Sequence, residues 1–205
     1  MTFIRFLGCN RSCSYCDTPA SRTRGKPFLH EGQSRKNPVS LTEILELIKE
    51  PEIAFTGGEP LMQPEFVYAL ASALKDAGQK VYLETNGTLP DAMEHVVPVT
   101  DYVAMDIKVP SATGGPADWD AAERFLAIAS RTQVFVKIVI DELVLPQELD
   151  RIGSIIERVD RTIPLVIQPI FGRPVAALVK IQKTLRQRLP EVRIIPQVHK
   201  YLGIR

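Results

Sequence analysis

The sequence predicts an α/β fold built on parallel strands, about six or seven of them, fewer than a closed eight-stranded barrel needs. Three observations predict it. Short apolar runs rich in Val, Ile, Phe and Tyr alternate with longer amphipathic segments along most of the chain, the pattern of strands joined by crossover helices. Gly, Pro and Asn punctuate the boundaries between them. Nearly every apolar run also ends in glycine or in a polar residue fit for chemistry, as expected where parallel strands gather ligands at their carboxyl ends.

Taken in order, residues 3–7 form the first strand, and residues 8–18 a loop that carries every cysteine of the chain. Residues 21–39 are polar and basic, with two glycines and two prolines, and read as a long loop. Residues 42–48 read as a helix, with Ser40 a candidate N-cap. Residues 53–56 are a buried strand ended by Gly57-Gly58, and residues 65–77 a helix closed at Gly78. Residues 80–85 form the next strand, stopped by Asn86-Gly87. Strands follow at 102–106, 134–140, 165–167 and 192–195, with helices at 118–130, 146–159 and 175–189 between them. The segment 134–140 is the clearest strand, being β-branched and aromatic almost throughout. Neither a repeat nor a linker interrupts the pattern, so residues 1–205 read as one domain.

A chain of 205 residues can bury a substantial single core. Its 45% hydrophobic and 24% charged content suits a soluble globular protein. The net charge of +1 gives no bulk attraction to nucleic acid or to an anionic membrane surface. No run approaches the roughly 20 apolar residues that span a bilayer. Arg5 interrupts the apolar start, so the first residues lack a signal-peptide layout. Three crowded thiols suit a reducing compartment. The expectation is a cytoplasmic protein without nucleic-acid or membrane partners.

The chemistry starts at Cys9-Asn10-Arg11-Ser12-Cys13-Ser14-Tyr15-Cys16. An odd number of thiols cannot pair off as disulfides, and no other cysteine exists to complete the set. Spacings of three and then two residues let one loop aim all three sulfurs at a common point. Thiolates suit iron–sulfur clusters or zinc. A four-iron cluster on three thiolates keeps one iron open to a small molecule. The other reading is a zinc site completed by His30.

Cys-x3-Cys-x2-Cys with an aromatic before the last cysteine resembles the signature of the radical S-adenosylmethionine (SAM) enzymes. The flanks, Phe3-Ile4-Arg5-Phe6-Leu7-Gly8 and Cys16-Asp17-Thr18, resemble those of the 7-carboxy-7-deazaguanine synthases within that superfamily. The resemblance implies a partial, open parallel β/α barrel whose rim holds a [4Fe-4S] cluster and SAM. It implies that the open iron is chelated by the amino and carboxylate groups of SAM. Electron donation from the cluster then yields a 5′-deoxyadenosyl radical. The implied reaction is ring contraction of 6-carboxy-5,6,7,8-tetrahydropterin to 7-carboxy-7-deazaguanine with loss of ammonia. The implied partners are the pterin, an electron donor of flavodoxin or ferredoxin type and, in a homodimer, a second copy.

The same resemblance distributes roles residue by residue. Cys9, Cys13 and Cys16 would hold the cluster, and Thr18 a magnesium ion, for which hard oxygen donors are apt. Tyr15, Cys16 and Asp17 would line SAM. Gly57, Gly58 and Glu59, in Thr56-Gly57-Gly58-Glu59-Pro60, would hold its amino group, the glycines letting the backbone approach the ligand. Asp106, Ile107, Lys108 and Gln168 would complete the SAM pocket, with Glu84-Thr85-Asn86-Gly87 shaping it. Arg5 and Thr56 would bind substrate, the arginine taking its carboxylate. The tail 192–205, with His199, would close over the substrate. No protein side chain is singled out as the catalytic acid or base. A Gln-Gly-Glu-Gly substrate segment that precedes the first strand in these synthases is not among the residues that begin at Met1.

The residues also allow plainer readings. Gly57-Gly58 could be an ordinary turn, and Asp17 or Thr18 could cap one. Arg5, set among hydrophobic residues, either pairs with a buried acid or points inward toward an anion. Two other functions remain open at this level. One is an activating enzyme for a glycyl-radical enzyme, which would lack Arg5 and the Cys-Asp-Thr run. The other is a non-enzymatic iron–sulfur or zinc module, which would not bind SAM.

Overall fold

Seven parallel strands form the main sheet of the computed structural model, which describes residues 1–203. Strand β1 (Thr2–Phe6) leads into the cysteine loop, after which β2 (Phe28–His30) and β3 (Gln33–Arg35) pair as an antiparallel hairpin. Then come α1 (Leu41–Leu47), β4 (Glu52–Gly57), α2 (Pro64–Asp76), β5 (Lys80–Thr85), α3 (Pro90–Val96) and β6 (Tyr102–Asp106). The chain continues through α4 (Pro110–Thr113), α5 (Trp119–Ala129), β7 (Gln133–Ile140) and α6 (Pro146–Asp160). It ends with β8 (Leu165–Pro169), α7 (Ala176–Leu185), β9 (Val192–Ile194) and α8 (Val198–Tyr201). Residues 204 and 205 of the expected closing tail lie outside the described residues.

The sheet order is β1-β4-β5-β6-β7-β8-β9, every neighbour parallel. Each strand pairs with the next one in the chain, so crossovers of one hand put their helices on one side. β1 and β9 keep one neighbour each, and the sheet stays open, the partial barrel the resemblance implies.

Period-two alternation sorts the two faces. Ile53, Phe55, Val81, Leu83, Val103, Met105, Val136, Ile138, Leu165 and Ile167 are fully buried against the helices. Val67, Leu70 and Leu74 of α2, Phe125 of α5 and Ile152 and Ile155 of α6 meet them there. The opposite, inner face carries Arg5, Thr56, Glu84, Asp106, Lys137 and Gln168, as the strand registers require. Below that polar row, Tyr82 lies 6.4 Å from both the Tyr102 and the Phe135 ring centroids and gives the inner face an aromatic base.

Local chemistry accounts for the element starts. Ser40 opens α1 with a reciprocal cap: its Oγ accepts from Glu43 N at 3.3 Å, and Glu43 Oε2 accepts from Ser40 N at 2.8 Å. Asp118 Oδ1 caps α5 by accepting from Ala121 N at 3.0 Å.

Several segments differ from the sequence expectation. The 21–39 loop contains the β2–β3 hairpin, turning at Glu31-Gly32 with φ of 49° and 78°, the left-handed pair that closes a two-residue hairpin. Helix α3 was absent from the sequence reading, which saw only the Asn86-Gly87 turn. It begins at Pro90 and buries Met93 and Val96, three residues apart on one face. Helix α7 is also shorter than the expected 175–189, ending at Leu185.

Candidate active site

The cysteine loop leaves the end of β1 and is held from several directions. Gly8 N donates to Ser21 O at 2.7 Å, and Gly8 O accepts from Glu59 N at 2.8 Å. Asn10 Nδ2 donates to Thr88 Oγ1 at 2.9 Å, while Asn10 Oδ1 accepts from Asn86 Nδ2 at 2.8 Å. Arg22 Nη2 donates to Cys13 O at 2.5 Å. Cys9, Cys13 and Cys16 are free thiols, each partly exposed. Burial pushes the Cys13 thiol above its ordinary pKa; the Lys108 charge pulls it back, and Asp106 and the other two cysteines add to the rise.

Among the described residues no group of three His, Cys, Asp or Glu side chains is placed to hold one metal ion. In a four-iron cluster each thiolate takes a different iron, so the sulfurs stand farther apart than around zinc.

The Gly57-Gly58 turn is pressed onto this loop. A Cβ on Gly58 would meet Gly8 O at 2.0 Å, and one on Gly57 would meet Phe6 N and O at 2.6 Å. The missing side chains thus make room for the chain's own backbone, a reason the sequence reading did not give. Gly57 also has φ of 112°, where side chains are strained. Glu59 lies wholly inside the protein: Oε1 accepts from Leu61 N at 3.1 Å and Thr85 Oγ1 at 2.8 Å, and Oε2 from Asn86 N at 2.7 Å. Burial raises its pKa while those three donors oppose the rise. Its carboxylate is a strut between the turns after β4 and β5, and through Asn86 and Asn10 it reaches the residue beside Cys9.

A second cluster of charge closes the other side. Asp106 Oδ2 accepts from Lys108 Nζ at 2.9 Å and lies 3.5 Å from Lys137 Nζ. Its other oxygen, Oδ1, is buried without a hydrogen-bond partner among the described residues, an acceptor available to a ligand. Lys108 Nζ lies 5.3 Å from the Tyr15 ring centroid and 3.4 Å from its hydroxyl. Burial alone would lower the lysine pKa, but Asp106, Tyr15 and Cys13 more than offset this and keep it cationic. Burial, reinforced by Asp106, pushes the Tyr15 phenol up. Ile107, expected in the SAM pocket, points its side chain into the core at 2% exposure. Lys137 was not foreseen; its signal was a lone lysine in the apolar strand 134–140, in register with Asp106.

Arg5 is exposed and makes no ion pair among the described residues, which corrects the reading of a charge paired with a buried acid. It stands on the inner face of the edge strand, in register with Thr56, whose Oγ1 donates to Glu84 Oε2 at 3.3 Å. Thr18 occupies an N-cap position without a side-chain capping bond, and its Oγ1 donates to Gly57 O at a long 3.5 Å. Asp17 Oδ2 lies 3.0 Å from His199 Nε2 of α8, which brings the tail onto the cysteine loop. Gln168 lies on the same inner face, nearer the sheet's far edge.

A cysteine loop after the first strand of an open parallel sheet, backed by a Gly-Gly-Glu turn, defines a class. The family model described as the radical SAM superfamily matches residues 3–159, and the chain belongs to that superfamily. Within it, a 7-carboxy-7-deazaguanine synthase of Geobacter sulfurreducens is 38% identical, covering 98% of this chain and 88% of the relative. A synthase of the same name from Archaeoglobus fulgidus is 36% identical, covering 99% and 89%. The chain belongs to the 7-carboxy-7-deazaguanine synthase family. Among solved structures, Streptococcus suis SuiB bound to S-adenosylmethionine matches with a TM-score of 0.63 at 12% identity, over 95% of this chain and 46% of that one. Archaeal TYW1 matches with a TM-score of 0.55 at 16% identity, over 74% and 55%. These two likenesses concern the fold alone, and the chain spans about half of each.

Proposed function

We propose that this chain is a radical SAM carbon–nitrogen lyase that converts 6-carboxy-5,6,7,8-tetrahydropterin into 7-carboxy-7-deazaguanine with release of ammonia, in 7-deazapurine biosynthesis. One observation carries the reading in a member of this family. The cysteine loop, the Gly57-Gly58 turn, the Asp106–Lys108 pair and the Arg5–Thr56–Glu84 row share one rim and one inner face. When bound, cluster and SAM together supply a carbon-centred radical able to take a hydrogen atom from substrate.

The residues around them do the rest. Cys9, Cys13 and Cys16 would hold the cluster, with SAM taken up beside it. Gly57 and Gly58 offer backbone groups to the SAM amine. The unpartnered Asp106 Oδ1 suits a ribose hydroxyl, and Lys108 and Lys137 pair with the other oxygen of that carboxylate. Tyr15, Asp17 and Gln168 line the same space. The free guanidinium of Arg5 takes the substrate carboxylate through its planar fork, and Thr56, oriented by Glu84, adds a hydroxyl beside it. Tyr82, Tyr102 and Phe135 give the inner face a base that excludes water. Thr18, whose hydroxyl caps nothing, offers an oxygen to magnesium together with substrate oxygens and water.

The reducing electron comes from a flavodoxin- or ferredoxin-type carrier. Supporting this, Lys26, Arg35 and Lys36 project on the β2–β3 segment without ion pairs among the described residues. A cytoplasmic setting and a homodimer complete the proposal. No helix among the described residues is long and apolar enough to cross a membrane.

The test is an anaerobic assay with reconstituted protein, reductant, SAM, magnesium and the carboxytetrahydropterin, read by mass spectrometry. The expected product is carboxydeazaguanine, without stoichiometric loss of SAM. Cleavage of SAM with the pterin untouched would sink the substrate assignment. Thr18→Ala is expected to keep cluster and SAM binding while weakening magnesium-dependent turnover. Equal rates of the unmutated protein with and without magnesium would sink the metal assignment.

A further inference from the structure

The turn that carries two of the three cysteines is bonded to a helix too short to stand by itself. Ser14 lies between Cys13 and Cys16, in a turn closed by Cys16 N donating to Cys13 O at 3.2 Å. Ser14 Oγ donates to Ala112 O at 2.7 Å and Ser14 N donates to Thr113 O at 3.1 Å. Both acceptors are carbonyls at the end of α4, which has four residues. Just beyond it, Pro116 O accepts from Arg11 Nη1 at 2.7 Å. One side of the cysteine loop therefore leans on residues 112–116.

A single turn of helix has no stability of its own in water, so something must fix α4 in turn. Glu148 does so from α6. Its Oε1 accepts from Ser111 N at 2.9 Å, and its Oε2 accepts from Ser111 Oγ at 2.5 Å and from Leu145 N at 3.0 Å. Glu148 is buried, at 5% exposure. A bond to Leu145 alone would be ordinary capping of α6. The two bonds to Ser111 carry the hold across to α4.

We propose that Ser14 and Glu148 are positioning residues for the cluster: Glu148 fixes α4 through Ser111, α4 fixes Ser14, and Ser14 sets where the Cys13 and Cys16 thiolates stand. The inference rests on the cluster being held by Cys9, Cys13 and Cys16. Loosening the path lets the two thiolates drift from the geometry that three irons require, so iron is lost faster and the spectrum of the reduced cluster changes. A purely structural role would alter melting and leave the cluster's spectrum alone.

The experiment compares anaerobically reconstituted wild-type protein with Ser14→Ala, Ser14→Thr, Glu148→Gln and the Ser14→Ala/Glu148→Gln double variant. The readouts are iron release to a chelator, the EPR spectrum of the reduced cluster with and without SAM, and melting of the cluster-free protein. Ser14→Ala is expected to release iron about five- to tenfold faster, the scale of one lost hydrogen bond, with altered g values and unchanged cluster-free melting. Ser14→Thr keeps the hydroxyl and is expected to restore retention. The double variant should be no worse than the poorer single, because both act on one path. Wild-type iron release and EPR in Ser14→Ala would overturn the proposal, even if Glu148→Gln fails to fold. Additive effects would overturn the shared path. A wild-type protein that takes up no cluster at all would bring down the cofactor assignment as well.

Discussion

Two loops follow one another after β1, and they are built in opposite ways. Residues 8–18 are hydrogen-bonded to Glu59, to Asn86 and Thr88, to Arg22, and to the carbonyls at the end of α4. Residues 25–39 pair chiefly with themselves, through the β2–β3 ladder and Asn37 Nδ2 donating to Lys26 O at 2.9 Å. None of the latter joins the core, and Leu29 is 73% exposed. Fixing backbone costs about 1–2 kcal/mol per residue, so a loop held this thoroughly at its root and this loosely beyond it has two tasks. The first must hold thiolates still. The second presents a surface.

The sharpest way to break that comparison is to remove a thiolate. Cys13→Ala takes away one of three ligands, and three is already one short of a closed site. The expected outcome is complete loss of turnover and of the cluster's visible absorption, with melting of the cluster-free protein close to wild type. Retained absorption and turnover would mean that the loop holds something else, and the contrast with the hairpin would lose its ground.

How much of this was readable from residues follows the same division. The cysteine loop was legible because side-chain identity and spacing encode it, and the strands because period-two patterning separates core from inner face. Lys137 was visible only as one lysine among apolar neighbours; the register that sets it beside Asp106 belongs to the fold. A further reason for Gly57 and Gly58 was not legible, because the backbone they accommodate, Phe6 and Gly8, lies about fifty residues earlier in the chain. The hairpin escaped notice because Phe28-Leu29-His30 and Gln33-Ser34-Arg35 show no alternation, having no core to face. Glu148 could not be found at all, since a glutamate at the third helical position looks like a cap until Ser111 is seen beside it.

A middle-sized effect tests the second loop. Lys26→Ser, Arg35→Ser and Lys36→Ser together remove three exposed, unpaired cations. If the segment receives an acidic electron carrier, the turnover rate with that protein donor, divided by the rate with dithionite, should fall roughly tenfold at low ionic strength. The salt sensitivity of the protein-driven reaction should shrink with it. An unchanged ratio would place the carrier elsewhere.

The smallest expected effect is also the most direct measure of how loosely the hairpin is attached. Leu29→Ser removes an apolar side chain that is already in water, and surface changes of this kind usually stay within about 0.5 kcal/mol. Phe55→Ala, at 0% exposure in β4, should cost about 3–5 kcal/mol by the ordinary penalty for emptying a core site. Denaturant unfolding of the two variants side by side compares them on one scale. A near-silent Leu29→Ser would mean that the fold does not depend on this side chain, leaving the hairpin's apolar tip free for a partner. A loss approaching that of Phe55→Ala would mean that Leu29 is packed in solution, and the division of labour between the two loops would have to be redrawn.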